Sequence, residues 1–383
     1  MNNEPQGRLH ELDSLRGLAA FSVVLHHFGL MWPAWQAHFG PWRLGRIEIA
    51  PFYPLYAGHE AVMLFFVLSG LVLSLPYLRG RGQPYPIYLA RRVLRIYAPY
   101  LPALALSVCG AAIWHGSHGQ GTFPVDFWSG PVNPRLVLQH IAFIGVYDAW
   151  QFNFVIWSLI YEMRISILFP VLTLLIFRIR PQLALLFAGS LSLLALVVSH
   201  HRPANGAVHN LMYTFHYMAF FIFGILLAMS LSTISTWYRS FSGLARTALF
   251  LGSCTFYYES SRIYDHFSGP SGLVVVEWGT AIGAVGFIIV AINSSRAKRL
   301  LHSHVPAFLG RISYSLYLIH APLLLAITFG IHKRLSAWVQ FPIYLAAVIG
   351  TAYVFCLCIE EPFTRMGQRL ARETRRRAQA QVN

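Results

Sequence analysis

The chain has 383 residues, of which 56% are hydrophobic and only 11% charged, whereas a soluble domain carries about 25% charged residues. Its formal net charge of +15 suggests nucleic-acid binding, but the 29 Lys and Arg are spread over connecting segments rather than gathered in a patch, which excludes that class. No stretch is left for a separate soluble domain, and Cys109, Cys254, Cys356 and Cys358 all fall in apolar runs, as small buried hydrophobes without metal-ligand or disulfide spacing.

Apolar runs long enough to cross a bilayer occupy 13–32, 60–78, 93–114, 153–177, 182–199, 209–231, 244–258, 272–293, 307–330 and 339–359. They predict an all-α, polytopic membrane helix bundle of about ten transmembrane helices, with 1–364 as the transmembrane domain and 365–383 as a basic cytoplasmic tail. With the N-terminus inside, roughly three quarters of the basic residues fall on the same side, which predicts that both termini are cytoplasmic. Arg8 precedes the first run as it would in a signal peptide, yet Asp13, Arg16, His26 and His27 interrupt that run, so a permanent first span is expected.

Within this span, Arg16 and His27 are eleven residues apart, which at 100° per residue returns the helix to within ~20° of its starting direction. They share a face, with His27 about 16 Å beyond Arg16 and so near the bilayer midplane. An intramembrane imidazole must face protein, water or substrate, and marks a candidate functional site. Residues 33–57, rich in Pro and aromatics, fit a loop at the outer interface. The long connection 115–152 carries His115, His118, Asp126, Trp128, Asp148 and Trp150, which suit either a sugar-facing surface or a membrane-interface loop. In the fourth span, Glu162 is an acid that needs a proton or a cation from another helix, and Trp157, Tyr161 and Arg164 share a face. Ser313, Tyr317 and His320 form a polar stripe on the ninth span, open to substrate or to helix–helix hydrogen bonding. Ser69-Gly70 and the Gly279/Gly283 pair permit close helix approach; Glu277 is an intramembrane acid without a motif. Glu360, Glu361 and Pro362 read as the end of the last span, and Arg365, Arg369, Arg372 and Arg376 as one face of a tail helix on anionic lipid headgroups.

Six segments in order, LDSLRGLAAFSVVLHH (12–27), AVMLFFVLSG (61–70), YLARRVLRIYAPY (88–100), WSLIYEMRISILFP (157–170), LGRISYSLYLIHAP (309–322) and IEEPF (359–363), resemble the acyltransferase 3 family of membrane proteins, which includes bacterial O-acyltransferases of surface polysaccharides. The resemblance implies transfer of an acyl group, most commonly acetyl, from cytoplasmic acyl-CoA to a hydroxyl of a cell-surface or exported carbohydrate, in the bacterial inner membrane. It matches the family's Arg and His of the first span to Arg16 and His27. Met63 departs from an Asp found in many members, and Arg164, Ile165 and Ser166 from a Gln followed by aromatics.

On this basis His27 is the expected general base, Arg16 orients the donor or holds the acyl carbonyl, and Glu162 orients or charges the histidine. Arg92 and Arg95, with Arg91 beside them, offer forked donors to the phosphates of coenzyme A, although cytoplasmic anchoring also explains them. Trp157, Tyr161, Tyr317 and His320 are the expected substrate-binding residues. No permanently bound cofactor and no metal are expected; acyl-CoA is the donor substrate. The expected partners are a glycan or glycolipid acceptor, membrane lipids and a periplasmic protein. The rival reading is a secondary transporter of an anionic or sugar-linked substrate, which also uses intramembrane His, Glu and Arg.

Overall fold

The computed structural model describes residues 9–32, 42–44, 47–49, 55, 57–115, 127–128, 130–203, 206–263, 270–331 and 335–380. In chain order its helices are α1 (His10–Met31), α2 (Gly58–Leu78), α3 (Tyr85–Trp114), α4 (Pro134–Ala142), α5 (Trp157–Arg178), α6 (Pro181–His200), α7 (Ala207–Met229), α8 (Leu231–Ser240), α9 (Gly243–Ile263), α10 (Pro270–Asn293), α11 (Ser295–Leu301), α12 (His304–Ile331), α13 (Ala337–Phe355) and α14 (Glu361–Ala380). Between α1 and α2, in the segment expected to be a loop, β1 (Trp42–Leu44) pairs antiparallel with β2 (Ile47–Ile49), Trp42 opposite Ile49.

Local chemistry places the helix starts. Asn133 caps α4 by accepting from the Arg135 backbone N–H at 2.9 Å, and Pro134 follows at the first helical position, where a missing N–H is no loss. Glu11 and Asp13 lie in the first turn of α1, where the helix dipole favours anions. Prolines 99 and 102 within α3, 170 within α5 and 322 within α12 occur inside spans, where neighbouring helices compensate the freed backbone groups.

All ten expected spans correspond to helices, and eight candidate spans are long and apolar enough to cross a membrane by length and composition alone. The other two expected spans, α1 and α9, are interrupted by polar side chains. Their crossing follows from packing. Added to Gly17, a Cβ would lie 2.2 Å from the Gly310 nitrogen, so α1 and α12 touch backbone to backbone there. Ten residues further along both helices His27 meets His320, so the two helices run parallel. Parallel packing requires an odd number of crossings between them, which holds when α9 crosses along with α2, α3, α5, α6, α7 and α10. The outer surface agrees: Val171 of α5 and Leu186 and Leu194 of α6 are 72%, 66% and 63% exposed, large apolar side chains that suit lipid. Two of the cysteines depart from the buried expectation. Cys356 is buried, but Cys109 and Cys358 are exposed on the bundle's outside, where lipid is as apolar as a core.

The last span does not stop at Pro362. A π-helical turn, Cys356–Glu360, widens the helix so that Pro362 falls in the first turn of α14, and the helix continues unbroken across 364/365. The same turn aims Glu360 at α12, where its Oε2 accepts from the Ser315 hydroxyl at 2.6 Å and the Ser315 N–H at 3.2 Å.

Candidate active site

A cavity of about 600 Å³ enters the bundle beside the α2–α3 connection, walled by α1, α2, α3, α5, α12 and the start of α14. Arg79, Arg81, Arg91 and Arg95 line it together with Arg16 and Asp13, and its inner end is formed by Phe65, Ser69, Glu162 and Tyr317. The helix crossing at Gly17 and Gly310 brings Arg16 and Ser313 to one side of it. Asp13 stands 3.5 Å from the Arg16 guanidinium one helical turn away, an ion pair that holds the side chain at the rim. Thr364, Gly367 and Gln368 of α14 contribute wall, the last two from the basic tail, a role that its charge pattern did not announce.

The inner polar cluster differs from the sequence expectation. Glu162 was expected to serve His27, but its cation is Arg92: the guanidinium donates to Oε1 at 2.7 Å, and Ser69 Oγ donates to the same oxygen at 3.1 Å. Arg92 also donates to Ser166 Oγ from Nε and Nη2, at 3.1 and 2.9 Å. A forked cation in a largely buried setting matches a carboxylate better than a neutral imidazole does, which is why these two groups find each other. Arg92 therefore reaches the cavity with its donors directed at α5, whereas Arg91 donates to Gln83 at 3.0 Å on the cavity wall.

His27 is turned toward α12. Its Nδ1 lies 3.1 Å from Nε2 of His320, with the rings stacked at 5.2 Å and Phe154 edge-on at 4.9 Å. Neither histidine is among the residues lining the cavity. Tyr317 joins the two regions: it lines the cavity, its ring lies 5.7 Å from that of His320, and its hydroxyl is fixed by Ser158 at 2.7 Å and the Val155 carbonyl at 2.9 Å.

Trp157 and Tyr161 do not line the cavity either. Their rings pack on Tyr217 of α7, at 5.8 and 5.1 Å. Arg164 bonds Asn210 at 2.7 Å, the Ile144 carbonyl at 2.9 Å and the Gly145 carbonyl, tying α5 to the preceding loop. In that loop Trp128 is buried at positive φ, its indole N–H donating to the Phe152 carbonyl at 2.9 Å, so its ring is not a sugar-facing surface; Trp150 is exposed. His140 of α4 is buried there, and desolvation lowers its imidazole from the ordinary value. His118, Asp126, Arg8, Arg46, Lys333 and Arg334 lie outside the described residues.

Sequence reasoning gave Glu277 no role. Its carboxylate is buried and flanked by two histidines, His216, which bonds one oxygen, and His59, 3.1 Å from the other; Ser192 Oγ in turn lies 2.7 Å from His216 Nδ1 and accepts from Trp278 at 3.0 Å. The group ties α2, α6, α7 and α10 together.

The acyltransferase 3 family model, described as an acyltransferase domain, matches residues 9–357. The chain belongs to this family. This acyltransferase is also similar to the O-acetyltransferase PaAT-1 of Phomopsis amygdali, at 23% identity over 414 aligned positions that cover 90% of this chain and 79% of the relative. No solved structure matches it. The chain is a multi-pass membrane acyltransferase that transfers groups other than aminoacyl groups, which displaces the transporter reading.

Proposed function

We propose that this acyltransferase moves an acyl group, acetyl first among them, from acyl-CoA to a hydroxyl of a cell-surface or exported carbohydrate, in a bacterial inner membrane with both termini in the cytoplasm. The observation that carries the donor half is the cavity: arginines at its mouth, a polar pair inside, and Tyr317 connecting it to the His27–His320 pair. Such an array suits a ligand with a polyanionic end and a long uncharged arm, which describes coenzyme A. In this reading Arg95 and Arg91 take the phosphates, Arg92 holds Glu162 in place, and the thioester arm passes Ser69 toward Tyr317. The name of the Phomopsis relative supports acetyl transfer to oxygen. The carbohydrate acceptor, a periplasmic helper protein and the bacterial membrane rest on the family resemblance.

The chemistry balances without a further reagent. His27 accepts the proton of the attacking hydroxyl as oxygen adds to the thioester carbon; the tetrahedral oxyanion collapses, the carbon–sulfur bond breaks, and the departing thiolate receives that proton. Arg16 lies about 16 Å back along the same helix, too far for a shared reacting carbon, so it orients the donor and leaves the oxyanion to other groups. Removal of one charge-assisted phosphate contact is expected to weaken coenzyme A binding about 10- to 100-fold. Titration calorimetry of coenzyme A into nanodisc-embedded protein checks this: Arg95→Ala and Arg91→Ala should bind more weakly and with less salt dependence, and unchanged affinity and salt slope in both would refute the donor assignment.

A further inference from the structure

The hydrogen bonds of the histidine pair determine which ring nitrogens carry protons. His320 Nδ1 lies 3.2 Å from the Leu316 carbonyl oxygen, one turn earlier on α12. A carbonyl only accepts, so Nδ1 of His320 carries the hydrogen, and in the neutral ring Nε2 is left as an acceptor. That Nε2 lies 3.1 Å from His27 Nδ1, so Nδ1 of His27 is the donor. Neutral His27 with its proton on Nδ1 presents an unprotonated Nε2, the nitrogen that a general base requires.

We infer that His320 is a positioning residue: it holds His27 in the Nδ1–H tautomer and keeps Nε2 basic. The inference rests on the reading of His27 as the general base and adds what orients it. In serine hydrolases a carboxylate performs this task; here a neutral imidazole, itself oriented by its own helix backbone, stands in its place. The site is built to hold that ring. His320 is fully buried, Tyr317 abuts it at 5.7 Å, and the parallel packing of α1 on α12 through Gly17 and Gly310 keeps the two rings in register. A neutral orienter has a chemical consequence. It accepts from the imidazolium that forms when His27 takes a proton, yet adds no negative charge to the bundle, so the midplane needs no compensating cation.

The test compares His320→Ala with His320→Gln, whose side-chain carbonyl reaches the place of Nε2 and accepts from His27. With acetyl-CoA and an oligosaccharide acceptor, His320→Ala is expected to lose about 10- to 100-fold in kcat, with the acetyl-CoA KM unchanged, and His320→Gln to recover most of it. Nitrogen NMR of histidine-labelled wild type should show His27 protonated at Nδ1 and unprotonated at Nε2 near neutral pH, and this readout stands even if the alanine variant does not fold. Three results overturn the inference: full activity of His320→Ala while His27→Ala is inactive, equal losses in the Ala and Gln variants, or a wild-type His27 protonated at Nε2. If His27→Ala and His320→Ala both keep parental rates, the underlying general-base reading fails instead.

Discussion

His27→Ala is expected to lower kcat for acyl transfer about a hundred- to ten-thousand-fold while leaving coenzyme A affinity unchanged, the range associated with loss of a positioned general base. The separation of the two regions makes this split sharp. His27 is not among the cavity-lining residues, so its removal takes away no donor contact; Arg79 and Arg81 are on the α2–α3 connection, Arg91 and Arg95 on α3 and Arg16 near the start of α1, and the lining residue Tyr317 abuts His320, the partner of His27. Acyl transfer and calorimetric binding measured on the same nanodisc preparation check both halves. A variant that turns over at the parental rate would remove His27 from the chemistry, and one that loses donor affinity in proportion to kcat would place the imidazole in the donor site.

Glu162→Ala is expected to destabilise the folded bundle by about 3–5 kcal/mol, because it leaves the largely buried Arg92 guanidinium without its countercharge, held by the neutral Ser166 hydroxyl. Arg92 and Glu162 side chains are only 9% and 18% exposed, so solvent screens the pair little. The cost belongs to the unpaired charge rather than to the bond itself. Exchanging both residues for apolar ones of similar volume, Glu162→Leu with Arg92→Met, should therefore return most of the stability. Thermal unfolding midpoints in detergent check this: the single variant should unfold well below wild type and the double variant close to it. Equal midpoints for wild type and the single variant would show that the pair is solvated and that Glu162 has another partner.

Reading the sequence gave axial positions well and lateral neighbours poorly. A helix fixes angle and depth, so the shared face of Arg16 and His27 was legible from spacing alone. Which helix stands opposite was not. The contact of His27 with His320 joins residues 293 apart in sequence, and the Arg92–Glu162 pair joins residues 70 apart, so both depend on which spans neighbour one another in the bundle. That choice was set in part by glycines: Gly17 and Gly310 let α1 and α12 meet, a signal present in the sequence but unreadable without its partner. The mistaken end at Pro362 has a different origin. Proline stops an α-helix when it removes a bond within a regular ladder, and the π-turn before it shifts that ladder, a device with no compositional signature. Trp157 and Tyr161 were assigned to substrate because aromatic rings beside an intramembrane acid look like a pocket; rings on the facing helix, led by Tyr217, fill that space.

The most direct measurement supplies labelled acetyl-CoA and a hydroxyl-bearing oligosaccharide to the full chain in nanodiscs, and counts free coenzyme A released against label gained by the acceptor. Transfer through a base at His27 predicts one coenzyme A per acetyl group moved, dependent on the acceptor and abolished in His27→Ala. Release that proceeds equally without acceptor, or transfer that persists at the same rate in His27→Ala, would contradict it.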